Sequence, residues 1–215
     1  MSRRGKLRVV AYVLFFAALA GVWFGVLAWV ERDARPADHV DVVFRETPQD
    51  AVDKMLEMAR VSSDDVVYDL GCGDARFLVT AAKKHGCRGV GYEIQPHVAA
   101  LARQKVAEAK LEHLIEIHER DIFEGSGIDL RPASVLTLFL LPELNVKLIP
   151  NIQQMRPGSR VVSFLFDMEG VKPKETIVYR MPNVGRDCTL HLWDTPLEFK
   201  QPRPWWDVRG WRWFR

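Results

Sequence analysis

The sequence predicts an α/β fold: a mostly parallel sheet with helices on both faces. Two observations carry this. From about residue 47 onward, strand-like apolar runs alternate with segments of helical period in the order strand, helix, strand, helix, strand. The strand-like runs are also nearly continuous in apolar residues, the pattern of strands covered on both sides. A third observation concerns the N-terminus. Residues 9–30, VVAYVLFFAALAGVWFGVLAWV, carry no charge over 22 positions, and at about 1.5 Å per residue such a run spans a hydrocarbon core of roughly 30 Å.

That run is expected to be one transmembrane helix within residues 1–30, behind a basic flank of Arg3, Arg4, Lys6 and Arg8. Ala18-Leu19-Ala20 imitates a signal-peptidase site, but ten apolar residues follow it, which favours an anchor over a cleaved leader. Trp23 and Trp29 lie toward the far end, where interfacial aromatics sit. Residues 31–43 are charged, carry Pro36 and read as a linker. A folded domain is expected over 44–200, and a Trp/Arg-rich tail over 201–215.

Within the domain, Thr47-Pro48 precedes Val52, Met55, Leu56 and Ala59, an amphipathic helix with Pro near its first turn. Residues 66–70 predict a strand, 75–85 a helix stopped by Gly86, 89–93 a strand, and 96–110 a helix opened by Pro96. Residues 114–118 predict the third strand and 135–141, VLTLFLL, the most apolar one. Pro150 divides the helical stretch 143–155 into two short helices. Residues 160–166 predict another strand, and 176–180 with 189–193 a closing pair.

A net charge of +2 argues against a bulk polyelectrolyte partner such as nucleic acid. Cys72, Cys87 and Cys188 form no CxxC pair, and the six histidines show no metal-like spacing, so no metal is expected and a reduced compartment is.

The sequence VVYDLGCGDARF, residues 66–77, marks the site. It is not a P-loop, since no GK[ST] follows, and it lacks the third glycine of a dinucleotide fingerprint, where Arg76 stands. What remains is Asp69-x-Gly71-x-Gly73, with Cys72 inside the turn as a candidate cofactor-binding residue or, more blandly, a small apolar filler. The glycines let backbone approach a ligand closely. A carboxylate beside them repels phosphate and suits an ammonium group. Glu93 ends the second strand, where a carboxylate can accept both hydroxyls of a ribose, and Asp121 follows the third, where it can take an adenine amino group with Ile122 against the ring. Alone, Glu93 reads as a solvated strand end and Asp121 as a helix cap. Together, the three acids describe a crevice for S-adenosylmethionine.

VYDLGCGDAR, GYEIQP, RDIFE, TLFLLPELN, RPGSRVVSFLFDMEG and LHLWDTP together resemble a class I S-adenosylmethionine-dependent methyltransferase. The narrower pieces, VLTLFLLPELN and RVVSFLFDMEG, resemble the membrane-anchored group that includes mitochondrial and archaeal protein-lysine methyltransferases. The resemblance covers about residues 44–196 and implies a Rossmann-like sheet of seven strands. By position it assigns Asp69, Gly71 and Gly73 to the methionine part, Glu93 to the ribose and Asp121 to the adenine, with Thr47 and Pro48 in the segment leading into the cofactor site. It departs at Ala75, where relatives usually carry Gly and where a methyl group is expected to crowd the cofactor.

The fourth strand delivers Pro142, Glu143, Leu144 and Asn145 in place of the Asn/Asp-Pro-Pro-aromatic motif of many amino-methylating relatives. Glu143 is the candidate to bind an ammonium and take its proton, and Asn145 to orient the amine. The blander alternatives are a helix-capping Glu143 and a surface Asn145. The expected function is methylation of lysine on a membrane-associated protein. Alternatives are a small or lipid-like acceptor, or a cofactor-binding module without turnover. The tail WWDVRGWRWFR is expected at a bilayer interface or against the domain more than on nucleic acid. The flanking charges put the domain outside, whereas the cofactor and the reduced thiols put it on the cytosolic or matrix side of an inner or mitochondrial-type membrane. The second argument is given more weight, because charge bias sets orientation only statistically.

Overall fold

The computed structural model describes residues 45–125 and 127–200, all within the unit that begins at Arg45. The expected transmembrane helix, linker and tail lie outside the described residues. The elements run α1 (Gln49–Met58), β1 (Val66–Leu70), α2 (Arg76–His85), β2 (Arg88–Glu93), α3 (Pro96–Glu108), β3 (Ile115–Glu119), β4 (Val135–Leu138), α4 (Pro142–Lys147), α5 (Ile149–Ile152), β5 (Arg160–Phe164), β6 (Glu175–Met181) and β7 (Arg186–Asp194).

Local chemistry explains most boundaries. Pro48 sets the entry to α1, whose Ala51, Val52, Met55, Leu56 and Met58 are buried on one face. Helix α2 ends on Gly86, at φ +70°, with Lys83, Lys84 and His85 in its last turn, where cations face the negative end of the helix dipole. Pro96 opens α3.

The seven strands form one sheet in the order β3-β2-β1-β4-β5-β7-β6. The first five are parallel, and β7 runs antiparallel to both β5 and β6. This is the predicted seven-stranded, mostly parallel sheet. Side chains alternate across it. Val67, Val135, Val162 and Phe164 pack under α1 to α3, while Tyr68, Leu70, Leu136, Leu138, Val161 and Trp193 pack under α4 and α5. Right-handed crossovers require this segregation, since β1 to β3 step one way across the sheet and β4 to β5 the other.

Two strands stop earlier than their apolar runs suggest. Pairing ends at Leu138 in β4 and at Phe164 in β5, not at residues 141 and 166. Leu141 precedes Pro142 and takes φ −58°, ψ 150°, the extended conformation that a following proline imposes. Residues 139–141 therefore leave the sheet as its upper edge.

Candidate active site

The strand order reverses between β1 and β4, and the C-terminal ends of these strands open the crevice in which such sheets bind ligands. The turn after β1 fills one side of it. Gly71 and Gly73 have φ of +78° and +56°, a region that glycine enters without strain. A Cβ on Gly71 would lie 3.2 Å from Leu140 Cδ2. The Gly71 and Cys72 amides both donate to the Tyr92 carbonyl at 2.9 Å, which ties the turn to β2.

Glu93 tightens that tie. It is 7% exposed, and its carboxylate accepts the Gly73 and Gln95 amides at 3.0 Å each. The Arg120 amide donates to the Glu93 carbonyl at 3.0 Å, which brings Asp121 to the same corner. Asp121 is half-buried and accepts the Phe123 amide at 2.8 Å in a tight turn, with Ile122 packed on the α4 side of the sheet.

Asp69 is buried and accepts a 2.6 Å hydrogen bond from Thr137 Oγ1 on the neighbouring strand. Burial pushes its carboxyl up to about 7; the Thr137 bond opposes this, and the nearby Glu93 and Asp74 charges reinforce it. Asp74 is the contrast. Burial acts on it in the same direction, but hydrogen bonds from Arg76 and Lys105 outweigh it and hold the carboxyl at about 2. Arg76 grips Asp74 through Nε at 2.9 Å and Nη2 at 2.8 Å, and reaches the Thr47 carbonyl at 3.1 Å through Nη1. Lys105 of α3 closes on Asp74 from the other side. Thr47 thus reaches the turn through Arg76, the residue standing where a dinucleotide fingerprint has glycine.

Cys72 is buried with its Sγ against β2. A Cβ on Gly91 would come within 2.8 Å of that sulfur, 2.8 Å of Ile117 Cδ1 and 2.9 Å of Leu78 Cδ1. Burial pushes the thiol up, so it stays protonated and acts as a small apolar filler. Ala75 is buried at φ +60°. The left-handed conformation costs an alanine about 1 kcal/mol, a backbone reason for the glycine that the resemblance implies at this position.

On the other side of the crevice, α4 has no side-chain cap. Glu143 is exposed in its first turn and has no hydrogen bond to another described residue, so it is not a cap. Asn145 is not a surface residue either. It is fully buried; its Nδ2 donates to the Asp167 carbonyl at 3.3 Å, and its Oδ1 has no partner among the described residues. It joins α4 to the loop after β5.

A family model described as the ANTKMT methyltransferase domain matches residues 69–175. A protein-lysine N-methyltransferase of Saccharolobus islandicus is 38% identical over 148 residues, 68% of this chain and 90% of that protein. The chain belongs to the class I S-adenosylmethionine-dependent methyltransferases of the protein-lysine group. The mouse adenine nucleotide translocase lysine N-methyltransferase is 32% identical over 124 residues, but the match spans only 52% of its length. A crystal structure titled as an RNA methyltransferase from Salinibacter ruber, in complex with S-adenosyl-L-homocysteine, superposes with a TM-score of 0.64 at 40% identity, over 74% of this chain and 98% of that one.

The enzyme's cofactor is S-adenosylmethionine, and the residues present fit it. Asp69 and Glu93 are buried carboxylates with no cation among their described partners, beside a turn whose Gly71 and Gly73 take positive φ. Such a pocket favours a positively charged ligand with hydroxyls to donate.

The motif residues Asp69, Gly71, Gly73, Glu93 and Asp121 do meet at one crevice. Arg76, Lys105, Gly91 and Thr137 carry no role in the sequence reading. Gly91, a glycine inside a strand, carries a recognisable signal of close approach.

Proposed function

We propose that the enzyme methylates the side-chain amine of lysine on a protein at a membrane. In this reading residues 9–30 anchor it, and the domain faces the cytosolic or matrix side. The observation supporting a lysine acceptor is the charge and polarity of the edge formed by β4 and β5. Phe139 meets Phe164 edge-on at 4.8 Å and lies over Phe166 at 6.3 Å. Glu143 lies exposed on α4, four residues beyond Phe139, and Asp167 follows Phe166, its carboxylate paired with Lys200 at 3.6 Å. An apolar wall with an exposed acid, Glu143, beyond its end fits an aliphatic stem ending in an ammonium. It opposes the phosphates of an RNA acceptor, the substrate class in the Salinibacter structure's title.

Asp69 and the glycine turn face the methionine part of the cofactor, Glu93 the ribose, and Asp121 with Ile122 the adenine. Thr47, held by Arg76, closes that side. The cofactor supplies a methyl group on a positively charged sulfur, open to attack by an amine lone pair. Glu143 binds the incoming ammonium and takes its proton, and the aromatic edge strips its water. Asn145 acts as a positioning residue, holding the loop after β5 against α4.

With full-length enzyme, radiolabelled cofactor and membranes from its own source, the label is expected on lysine. Glu143→Gln is expected to lower kcat/KM about 100-fold with cofactor affinity unchanged. Label recovered in RNA or lipid would replace the lysine reading.

Asp69 gives the cofactor affinity a pH dependence. Its folded value of about 7 lies above the ordinary 3.8. The neutral carboxyl therefore stabilises the free enzyme below about pH 4, and this contribution is lost as pH rises through 7. A bound cation favours the ionised form, so cofactor affinity is expected to rise about 10-fold between pH 6 and 8, with proton uptake by buffer at pH 6. Calorimetry in buffers of different ionisation enthalpy reads both, and an Asp69→Asn enzyme should show neither. A flat affinity profile in the unaltered enzyme would separate Asp69 from the cofactor's charge.

A further inference from the structure

The end of β5 holds a leucine in a conformation that leucine rarely adopts. Leu165 has φ +67°, and the Phe166 amide donates to the Phe164 carbonyl at 2.9 Å across it. A positive φ under an i to i+2 hydrogen bond is the rare, strained form of the γ-turn. The turn does not bury the side chain in exchange, since Leu165 is 40% exposed. Strain and an exposed apolar group both count against stability, and glycine at this position would avoid both.

The surroundings nevertheless enforce the turn. Fully buried Ser163 donates through Oγ to the Phe166 carbonyl at 2.6 Å. Fully buried Asn145 donates to the next carbonyl, that of Asp167, at 3.3 Å. The Leu165 amide donates to the Thr189 carbonyl at 2.8 Å, fixing the turn from β7. Two buried polar side chains and a neighbouring strand thus hold one strained leucine in the open.

Its location gives the reason. Leu138 and Ser163 form the last pair of β4 and β5; Leu140 and Leu165 each follow it by two residues, at the crevice end of the two strands, and Leu140 is the side chain that a Cβ on Gly71 would touch. Leu165 therefore follows β5, which is two strands from β1 and its glycine turn in the sheet, at the same crevice end. Leu141, also 40% exposed, and the Phe139 and Phe166 rings share that edge.

We propose that Leu165 is a specificity-determining residue of the acceptor site, held by the strained turn as a wall for the aliphatic stem of the substrate lysine. The proposal rests on the lysine reading above. It explains why the fold keeps a strained, exposed leucine, and it gives Asn145 and Ser163 one shared task, to hold that turn.

The test compares full-length enzyme with Leu165→Gly, Leu165→Asn and Leu165→Met, using radiolabelled S-adenosylmethionine and washed membranes from its own source as acceptor. Glycine and asparagine both tolerate positive φ but remove the apolar wall. Both are expected to keep or raise the melting temperature, leave cofactor affinity within twofold, and raise the apparent KM for the protein acceptor at least about 10-fold. Methionine, an unbranched apolar side chain, is expected to restore most of kcat/KM. Unchanged kcat/KM in the glycine and asparagine enzymes, with methyllysine still formed, would overturn the proposal and leave the lysine reading standing. A failure of the unaltered enzyme to form methyllysine would remove both. If the glycine enzyme melts lower, the asparagine enzyme decides.

Discussion

Replacing Glu93 with alanine is expected to weaken S-adenosylmethionine binding at least about 100-fold and to lower the melting temperature at the same time. The carboxylate does two jobs. It accepts the Gly73 and Gln95 amides from a position only 7% exposed, so its removal leaves two N–H groups to find water, each at a cost of about 1–3 kcal/mol. In our reading it also accepts the ribose hydroxyls, charge-assisted bonds each contributing about 1.5–3 kcal/mol. Glu93→Gln is the milder change: it keeps the volume and one acceptor oxygen, but loses the charge and turns an NH2 donor toward one of the two amides. It should lose less thermal stability than the alanine enzyme and bind the cofactor at least about 10-fold more weakly than the original. Calorimetric titration and a thermal scan on the same preparations read both quantities. An alanine enzyme that binds within threefold of the original would dissociate Glu93 from the ribose.

The same residue shows how much of the site the sequence displays. A glycine turn after one strand and an acid ending the next have fixed spacing, because each strand–helix unit returns the chain to the same edge of a parallel sheet. Asp69, Gly71, Gly73, Glu93 and Asp121 therefore announce themselves in a linear reading. Their supports do not. Lys105 lies 31 residues from Asp74, and Thr137 lies 68 residues from Asp69. Each meets its partner only because α3 packs near the turn and β4 inserts beside β1, and nothing local distinguishes either from a solvated lysine or an ordinary strand threonine. The strand ends expected at residues 141 and 166 overshoot β4 and β5 for a related reason. The apolar run continues past the last paired residue because the crevice edge is itself apolar, so hydrophobicity alone cannot separate sheet core from crevice edge. Leu165 looks like one more strand residue until its φ is known.

Asp65→Ala is expected to destabilise the domain by about 3 kcal/mol or more and to lower its melting temperature by roughly 10 °C, without changing cofactor affinity in the protein that remains folded. Asp65 sits just before β1, 6% exposed, at the sheet edge opposite the crevice. It accepts the Ser62 amide at 2.8 Å, Ser62 Oγ at 3.1 Å and Ser134 Oγ at 2.7 Å, and pairs with Arg160. Ser134 precedes β4 and also accepts the Val66 amide at 2.9 Å; Arg160 opens β5; the Arg88 amide of β2 donates to the Asp65 carbonyl at 3.1 Å. One carboxylate thus fastens β1 to β4 and β5 at their starts. Burial would raise its pKa, but the bonds from Ser134 and Ser62 and the Arg160 charge outweigh that and hold it below the ordinary carboxylate range. Its contribution is therefore present above about pH 4 and is lost as pH falls through the depressed folded value. In the alanine enzyme that acid-side loss should shrink, and denaturant titration at pH 7 and pH 3 reads the difference. A loss below 1 kcal/mol at pH 7 would mean that water replaces the carboxylate at Arg160 and Ser134, leaving sheet packing alone to set the strand register. A loss of the expected size would mean that opposite ends of the same strands carry separate tasks, charge pairing at their starts and cofactor chemistry at their ends.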